Sequence, residues 1–545
     1  HIDNTGGSLQ AAGDLVVASA GVLDNSAGHL SAGGSLAIFD PRGDTDPAAK
    51  TLAIVNGGGS LTAGKVMMLD AARLGFDGRI VSRGDFAAAL QGDYVHGAAP
   101  DFYQASGSVS LAFTGTLVND IAWHVGAGLS LSAGQIVNGP NGQISSDATT
   151  VVQAVSGALT NRGSIHGNTV AALGRELDNR GGHITGNTLA AEFSGNADNR
   201  QGRIDFTGAA DVYVGGTLDN DGGRIDTGSL ALAVGGNLTS RIATEQTAYR
   251  SADRERFAGR RLGWGETLVT QTIPGPRAGI TARTGDLTLD VGGDLVVQSA
   301  DLTAAGDLGG YVAGEIGVSA AALASHTHVQ SINAGSSWAE SGFNAETYSR
   351  TESSVEHLPA AIRAGGDLAL IAGGGAFYQG SDVSAGGNLT LGAVRGNLQI
   401  AAAQNTRHAE STRIGEGSSE TTTDSASLAG GRLDAGGDLR LLAGADLSLS
   451  GVDASAGGQL WAVAGQNLSA ASLPIVTTTT IHTQSAEAPS GEDESGRNST
   501  PAETTSTRTT TTQHGGHFSA PEGIVFDAGH GNPFASAPAA ASAPT

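Results

Sequence analysis

The sequence predicts an all-β protein, a right-handed parallel β-helix (a solenoid) with projecting β-hairpin inserts. The first observation is a recurring cassette, seen in Leu177-Asp178-Asn179-Arg180-Gly181-Gly182-His183-Ile184 and again in Leu218-Asp219-Asn220-Asp221-Gly222-Gly223-Arg224-Ile225. The second is its spacing. From Asn119 onward the cassette asparagines are separated by 19, 23, 18, 20 and 21 residues, a period typical of stacked coils. The third is composition: 84 of 545 residues are glycine without a Gly-X-Y period, and aromatics make up only 4%. That excludes collagen and suits a narrow core of Ala, Leu, Val and Ile between tight turns.

Residues 1–239 carry this first repeat class. Variants of the cassette start at Ile2, Leu23, Ile54, Leu117, Ile136 and Leu159. Each is followed by a tight turn and a short alternating strand, such as Leu129-Ser130-Leu131 or Leu230-Ala231-Leu232. Alternation sends one face inward and one outward. Antiparallel hairpins would alternate too, but equal spacing of identical cassettes favours the same strand returning on each turn. The asparagines then form a structural column: Asn25, Asn56, Asn119, Asn138, Asn161, Asn179, Asn199 and Asn220. Asn tolerates a left-handed corner, and stacked amides can form a hydrogen-bonded ladder.

Residues 240–277 break the pattern and read as an Arg-rich junction, with Arg250, Arg254, Arg256, Arg260 and Arg261 ahead of Pro274 and Pro276. Residues 278–518 use a second cassette, Ala-Gly-Gly-Asp-Leu-x-Leu, at Ala364–Leu370 and Ala435–Leu441, with a variant at Val291–Leu295. Gly293, Gly366 and Gly437 are 73 and 71 residues apart, so a unit of several coils is repeated. Each unit ends in a Ser/Thr-rich insert, at 325–358, 405–428 and 477–517. Threonine runs favour strands and Gly/Ser centres favour turns, which predicts projecting hairpins. The competing reading is disordered loops, strongest for the last insert with Pro489, Gly491 and Pro501. Residues 519–545 form the end of the repeats and an Ala/Ser/Pro-rich tail expected to be disordered.

Charge and composition narrow the function classes. A net charge of −24 argues against nucleic acid as a partner of the whole chain. Only Lys50 and Lys65 are lysines; the other basic residues are arginines. Cysteine is absent, which removes disulfides and thiolate metal sites and suits a protein that crosses an envelope unfolded. No apolar stretch approaches the length of a membrane span. His1 starts inside a repeat with no signal peptide ahead of it, so the chain reads as a piece of something longer. Some twenty coils stacked at about 4.8 Å would form a rod on the order of 100 Å.

Taken together, the two cassettes resemble the filamentous haemagglutinin family of large secreted exoproteins. The Leu-Asp-Asn-x-Gly-Gly-x-Ile units look like its first repeat class, and the Ala-Gly-Gly-Asp-Leu-x-Leu units with polar inserts look like its second. The resemblance implies a secreted or cell-surface bacterial shaft, exported through an outer-membrane two-partner secretion transporter. It implies an adhesin that attaches to host cells or biofilm, or else the stalk of a contact-dependent growth inhibition toxin. It implies no cofactor. The secretion domain and any toxin module of the family are not in this sequence.

Candidate contact residues follow. Arg42-Gly43-Asp44 and Arg83-Gly84-Asp85 are integrin-type triplets, in which Asp completes the coordination of a receptor cation. The second aligns with a repeat turn, so an ordinary turn is its competing reading. The first lies in an extra segment, Phe39 to Lys50, bracketed by Pro41 and Pro47, which favours a protruding loop. The junction arginines could grip a sulfated host glycan bidentately, although Asp253, Glu255 and Glu266 are interleaved with them. His326-Thr327-His328 is a potential metal pair with no third ligand near in sequence, and a solvated strand face competes with it. The Gly-Gly-Asp turns lack the Gly-x-Gly-x-Asp spacing of calcium nonapeptides. A β-helical polysaccharide-degrading enzyme is the remaining alternative. It would need converging carboxylates, whereas Asp and Glu are spread through the turns here.

Overall fold

The computed structural model describes residues 1–43, 49–75, 77–97, 103–257, 261–335, 344–415, 417–485 and 502–534. Among them there are strands and turns and no α-helix. Contacts divide the chain into two compact units. One holds residues 1–240, 278–295 and 302–313; the other holds 241–277, 296–301 and 314–545.

The first unit is a parallel β-solenoid. Each regular coil supplies three short strands, one to each of three stacked columns. The cassette leucine heads the first column, where Leu159, Leu177, Ala197 and Leu218 pair in succession up to Leu238. The cassette isoleucine occupies the second, from Ile144 through Ile165, Ile184, Ile204 and Ile225 to Ile280. The third includes Val212, Leu232 and Leu289. All of these side chains are buried. Like therefore stacks on like, and alternation in each strand leaves the intervening residues in solvent.

The second unit, taken by itself, has the same architecture. Its columns include Val383, Leu433 and Ala454; Leu389, Leu439 and Leu460; and Leu398, Leu447 and Leu468. Four hairpins follow directly after strands Leu238–Arg241, Ile316–Ser319, Leu398–Ala401 and Leu468–Ala471. The first is Thr244–Phe257 with Arg261–Pro274, so the Arg-rich segment read as a junction is built like the inserts. The others are Ala321–Gly335 with Asn344–Leu358, Ala403–Ile414 with Ser418–Ala429, and Leu473–Gln484 with Glu503–His514. The loop reading of the last insert thus gives way to paired strands, with 486–501 outside the described residues.

The second strand of each hairpin pairs with the first strand of the next, which makes one eight-stranded antiparallel sheet. The spacing has a physical reason. Six strands, hence two coils, lie between successive hairpins of this unit. Two coils rise by two inter-strand spacings of about 4.8 Å, and a hairpin is also two strands wide. The sheet therefore grows in step with the coils. This accounts for the 71–73-residue repeat: two coils plus one hairpin.

The repeats end at Ile524–Ala528, which pairs with Leu460–Ala464. Asn532 then donates to the Val394 carbonyl at 2.7 Å, and Phe534 lies over Gly392. Residues 535–545 lie outside the described residues.

Candidate functional site

The asparagines line one edge of the coils with their amides turned inward. Each amide nitrogen donates to the amide oxygen of the next: Asn138 to Asn161 and Asn161 to Asn179 at 2.8 Å, then Asn179 to Asn199 and Asn199 to Asn220 at 2.7 Å. A shorter run joins Asn4, Asn25 and Asn56. From Asn25 to Asn220 the column is fully buried. It is structural and offers nothing to a ligand. Between the runs an aromatic layer intervenes, which the sequence reading missed. His96 takes the position opposite Asn119 and stacks on Trp123 at 3.7 Å, while its Nδ1 lies 3.2 Å from the Tyr94 hydroxyl. Tyr94 in turn stacks on Phe113 at 4.6 Å.

A second device sits at the Gly-Asp turns. The Asx side chain of one coil accepts a backbone N–H of the next: Asp14 from Ser35 at 2.7 Å, Asp93 from Thr116 at 2.7 Å, Asp286 from Asp307 at 2.8 Å and Asp367 from Asn388 at 2.7 Å. Asp85 belongs to this series and accepts Ser108 N–H at 2.8 Å. The Arg83 N–H donates to Ala63, and a Cβ on Gly84 would lie 2.4 Å from the Lys65 carbonyl. The triplet Arg83-Gly84-Asp85 is thus built into the stacking of coils.

The first triplet is held differently. The Arg42 guanidinium bonds both oxygens of Asp40 at 3.2 Å, the Ala20 carbonyl at 2.5 Å and the Thr51 hydroxyl. Asp40 is buried and also accepts the amides of Thr51 and Leu52 at 2.6 and 2.9 Å. The Arg42 side-chain bond holds the Asp40 carboxyl far below the usual carboxylate range, against the upward push of burial. Arg42 therefore closes the base of the extra segment. Gly43 follows in a turn, its N–H bonded to the Asp40 carbonyl. Asp44 lies outside the described residues.

Among the junction arginines, Arg250 is paired with Glu266 across the first hairpin. Arg254, Arg256 and Arg261 fall on its two strands, and Arg260 lies outside the described residues. Elsewhere arginines form ion-pair rows up the coils. Arg162 and Arg180 both bind Asp178, at 2.5 and 2.8 Å, and Arg200 binds Asp198 at 2.6 Å. Burial raises the Asp178 pKa, but the hydrogen bonds from Arg180 and Arg162 outweigh it and the net shift is downward. A group depressed in the folded state stabilises above its ordinary value near 3.8 and loses that contribution as pH falls through the folded value. The difference in denaturation midpoint between parent and Asp178→Asn should hold constant above about pH 5 and vanish in stronger acid. A difference that grows as the solution is acidified would refute this sign.

The eight-stranded sheet is an exposed feature of the second unit. Apart from Ala321 and Ala403, at the start of their strands, the inserts contribute no buried residue among those described. The layer has no hydrophobic core of its own, and cross-strand pairs hold it. On one face His326, Ser353, His408, Asp424, Thr478 and Thr509 stand opposite one another from strand to strand. On the other, Glu352 takes Arg407 at 2.7 Å and Arg350 at 2.6 Å. The Arg407 hydrogen bond lowers the Glu352 pKa. The edge strand Glu503–His514 is exposed at every position. Among the described residues no group of three or more His, Asp or Glu converges as a metal site.

Comparison with curated proteins and with solved structures returned no match. Two overlapping segments, residues 341–416 and 411–486, match the hemagglutinin repeat family model. Each runs from one hairpin through two coils to the next. The chain therefore carries filamentous haemagglutinin-type repeats on a parallel β-solenoid, the architecture of an adhesin-type shaft.

Proposed function

We propose that this chain is a shaft segment of a secreted or surface-attached bacterial filamentous adhesin, and that the eight-stranded sheet is its contact surface for host cells or biofilm. The observation that carries the reading is that each matched repeat delivers two strands to one continuous sheet with both faces in solvent. The coils supply the scaffold, and the partner is a host receptor or glycan. On this reading the parent is exported through an outer-membrane two-partner transporter. No chemical step is involved. The stalk of a contact-dependent growth inhibition toxin would use the same coils without needing the sheet to adhere.

Beads coated with the chain should attach to host cells or biofilm. Replacing 473–514 by a short Gly-Ser turn should reduce attachment about tenfold, which corresponds to about 1.4 kcal/mol of contact energy. Asp44→Glu, assayed with and without chelator, tests the alternative receptor loop at Arg42-Gly43-Asp44. Loss with that change alone would move the contact to the loop. Full attachment by both variants would favour the stalk reading.

A further inference from the structure

The pair His326 and His328 is used neither by the coils nor by the ion-pair rows. Both lie on strand Ala321–Gly335, two residues apart, so both project from the same face of the sheet. The neighbouring strand places a hydroxyl opposite each. His326 Nδ1 lies 2.9 Å from Ser353 Oγ, and His328 Nδ1 lies 3.1 Å from Thr351 Oγ1. An Nδ1–H donated to a hydroxyl oxygen leaves the Nε2 lone pair pointing away from the backbone. That is the tautomer a metal-bound imidazole needs, and the second contact orients the ring.

The charged groups nearest on this face are Glu266, diagonal to His328 across from Gln330, and Glu410, one strand beyond Thr351. On the other flank Thr270 and Leu268 stand opposite the two histidines, and Ala324 and Gln330 precede and follow them on the same face. One strand further, Arg250 is engaged by Glu266. The two Cα atoms are about 6.7 Å apart in an extended strand. Two imidazoles leaning together from that distance can share one ion at about 2.0–2.1 Å from each nitrogen. The other histidines of this face stand singly. His408 pairs with Asp424 at 2.6 Å, and His482 lies 2.8 Å from the Thr505 hydroxyl.

We propose that His326 and His328 form a two-histidine chelate for a borderline divalent ion, Cu2+, Ni2+ or Zn2+, with water in the remaining positions. Imidazole suits these ions, and the expected order of affinity places Cu2+ first. Calcium and magnesium, which demand oxygen ligands, should not bind here.

The test is calorimetric titration of the full chain with Ni2+ and Cu2+. A His1→Ala background is needed, because a terminal histidine is itself a chelator. His326→Gln and His328→Gln should each weaken the site at least about tenfold, because the second imidazole acts at high effective concentration. Thr351→Val should weaken it severalfold through lost ring orientation. His408→Gln and His482→Gln should leave it unchanged. Bound Cu2+ should show a two-nitrogen pattern by electron paramagnetic resonance, reduced to one nitrogen in either single variant. Parent-like binding by His326→Gln or His328→Gln would overturn the assignment, as would an equal loss in His408→Gln. Circular dichroism of each variant separates loss of the site from loss of the sheet.

Discussion

Gly202→Ala is expected to destabilise the coils around it by about 3 kcal/mol or more, a loss in the range of severe backbone strain in a packed interior. A Cβ at Gly202 would lie 2.1 Å from the Asn179 carbonyl oxygen, 2.5 Å from Asn199 Oδ1 and 2.9 Å from Asn179 Nδ2. None of these atoms ends a flexible side chain. The carbonyl belongs to the neighbouring coil, and the amides belong to the buried ladder. Relief would require pulling apart adjacent coils that exchange backbone hydrogen bonds, such as Arg203 N–H to Gly182 at 2.8 Å. Gly181, two residues after Asn179, makes the contrast. It has φ +68°, and a Cβ there meets nothing within 4 Å. The chain performs that substitution itself, since Gln201 holds the equivalent place in the next coil at φ 56°. Gly181→Ala should therefore cost only the left-handed penalty, about 1 kcal/mol. Hydrogen exchange of the coils from 179 to 225 reads both variants locally, which suits a stacked structure without a single cooperative transition. Equal losses in the two variants would defeat the argument.

The second large effect is expected at Asn199→Leu. Asn199 accepts from Asn179 and donates to Asn220, both at 2.7 Å, in a fully buried column. Leucine has similar bulk but leaves one donor and one acceptor buried and unpaired. At about 1–3 kcal/mol for each, the loss should be about 2–6 kcal/mol. Asn119 supplies the internal control, because its Oδ1 is buried and receives no hydrogen bond. Its position in the preceding coil is held by His96. Asn119→Leu removes the donations to Asn138 and to the Ile121 carbonyl but strands no amide donor of a preceding asparagine, so its effect should be the smaller. Denaturant titrations of both variants, followed by exchange of the flanking coils, check the order. A larger loss at Asn119 would show that the ladder does not act as a chain of donors and acceptors.

Much of the fold is legible in the residues because coils repeat a local pattern. Leu218-Asp219-Asn220-Asp221-Gly222-Gly223-Arg224-Ile225 encodes a strand, a left-handed corner, a close approach and the next strand within eight positions. Repetition then makes the partner of each residue another copy of itself. The same logic explains why position 223 takes glycine: a Cβ on Gly223 would strike the Asn199 carbonyl at 2.1 Å.

The candidate site was less legible. Arg83-Gly84-Asp85 resembles a receptor motif in one dimension, and only the stack shows its carboxylate spent on Ser108, 23 residues away. Arg42 resembles a free ligand until Asp40 and Thr51 are seen to hold it. His96 carries no repeat signature, yet it occupies the asparagine column.

By itself the sequence read the first hairpin as a junction, but it determined the all-β class, the parallel coil and inserts at three of the four hairpins. These depend on periodicity and on turn chemistry within about twenty residues. Only the tertiary structure decided that four hairpins share one sheet, and that the Asx residues of one coil bond the amides of the next. Those outcomes depend on lateral register, and register arises from matched dimensions. A hairpin two strands wide meets a scaffold that rises two strand spacings between hairpins, and no single segment of the chain encodes that match.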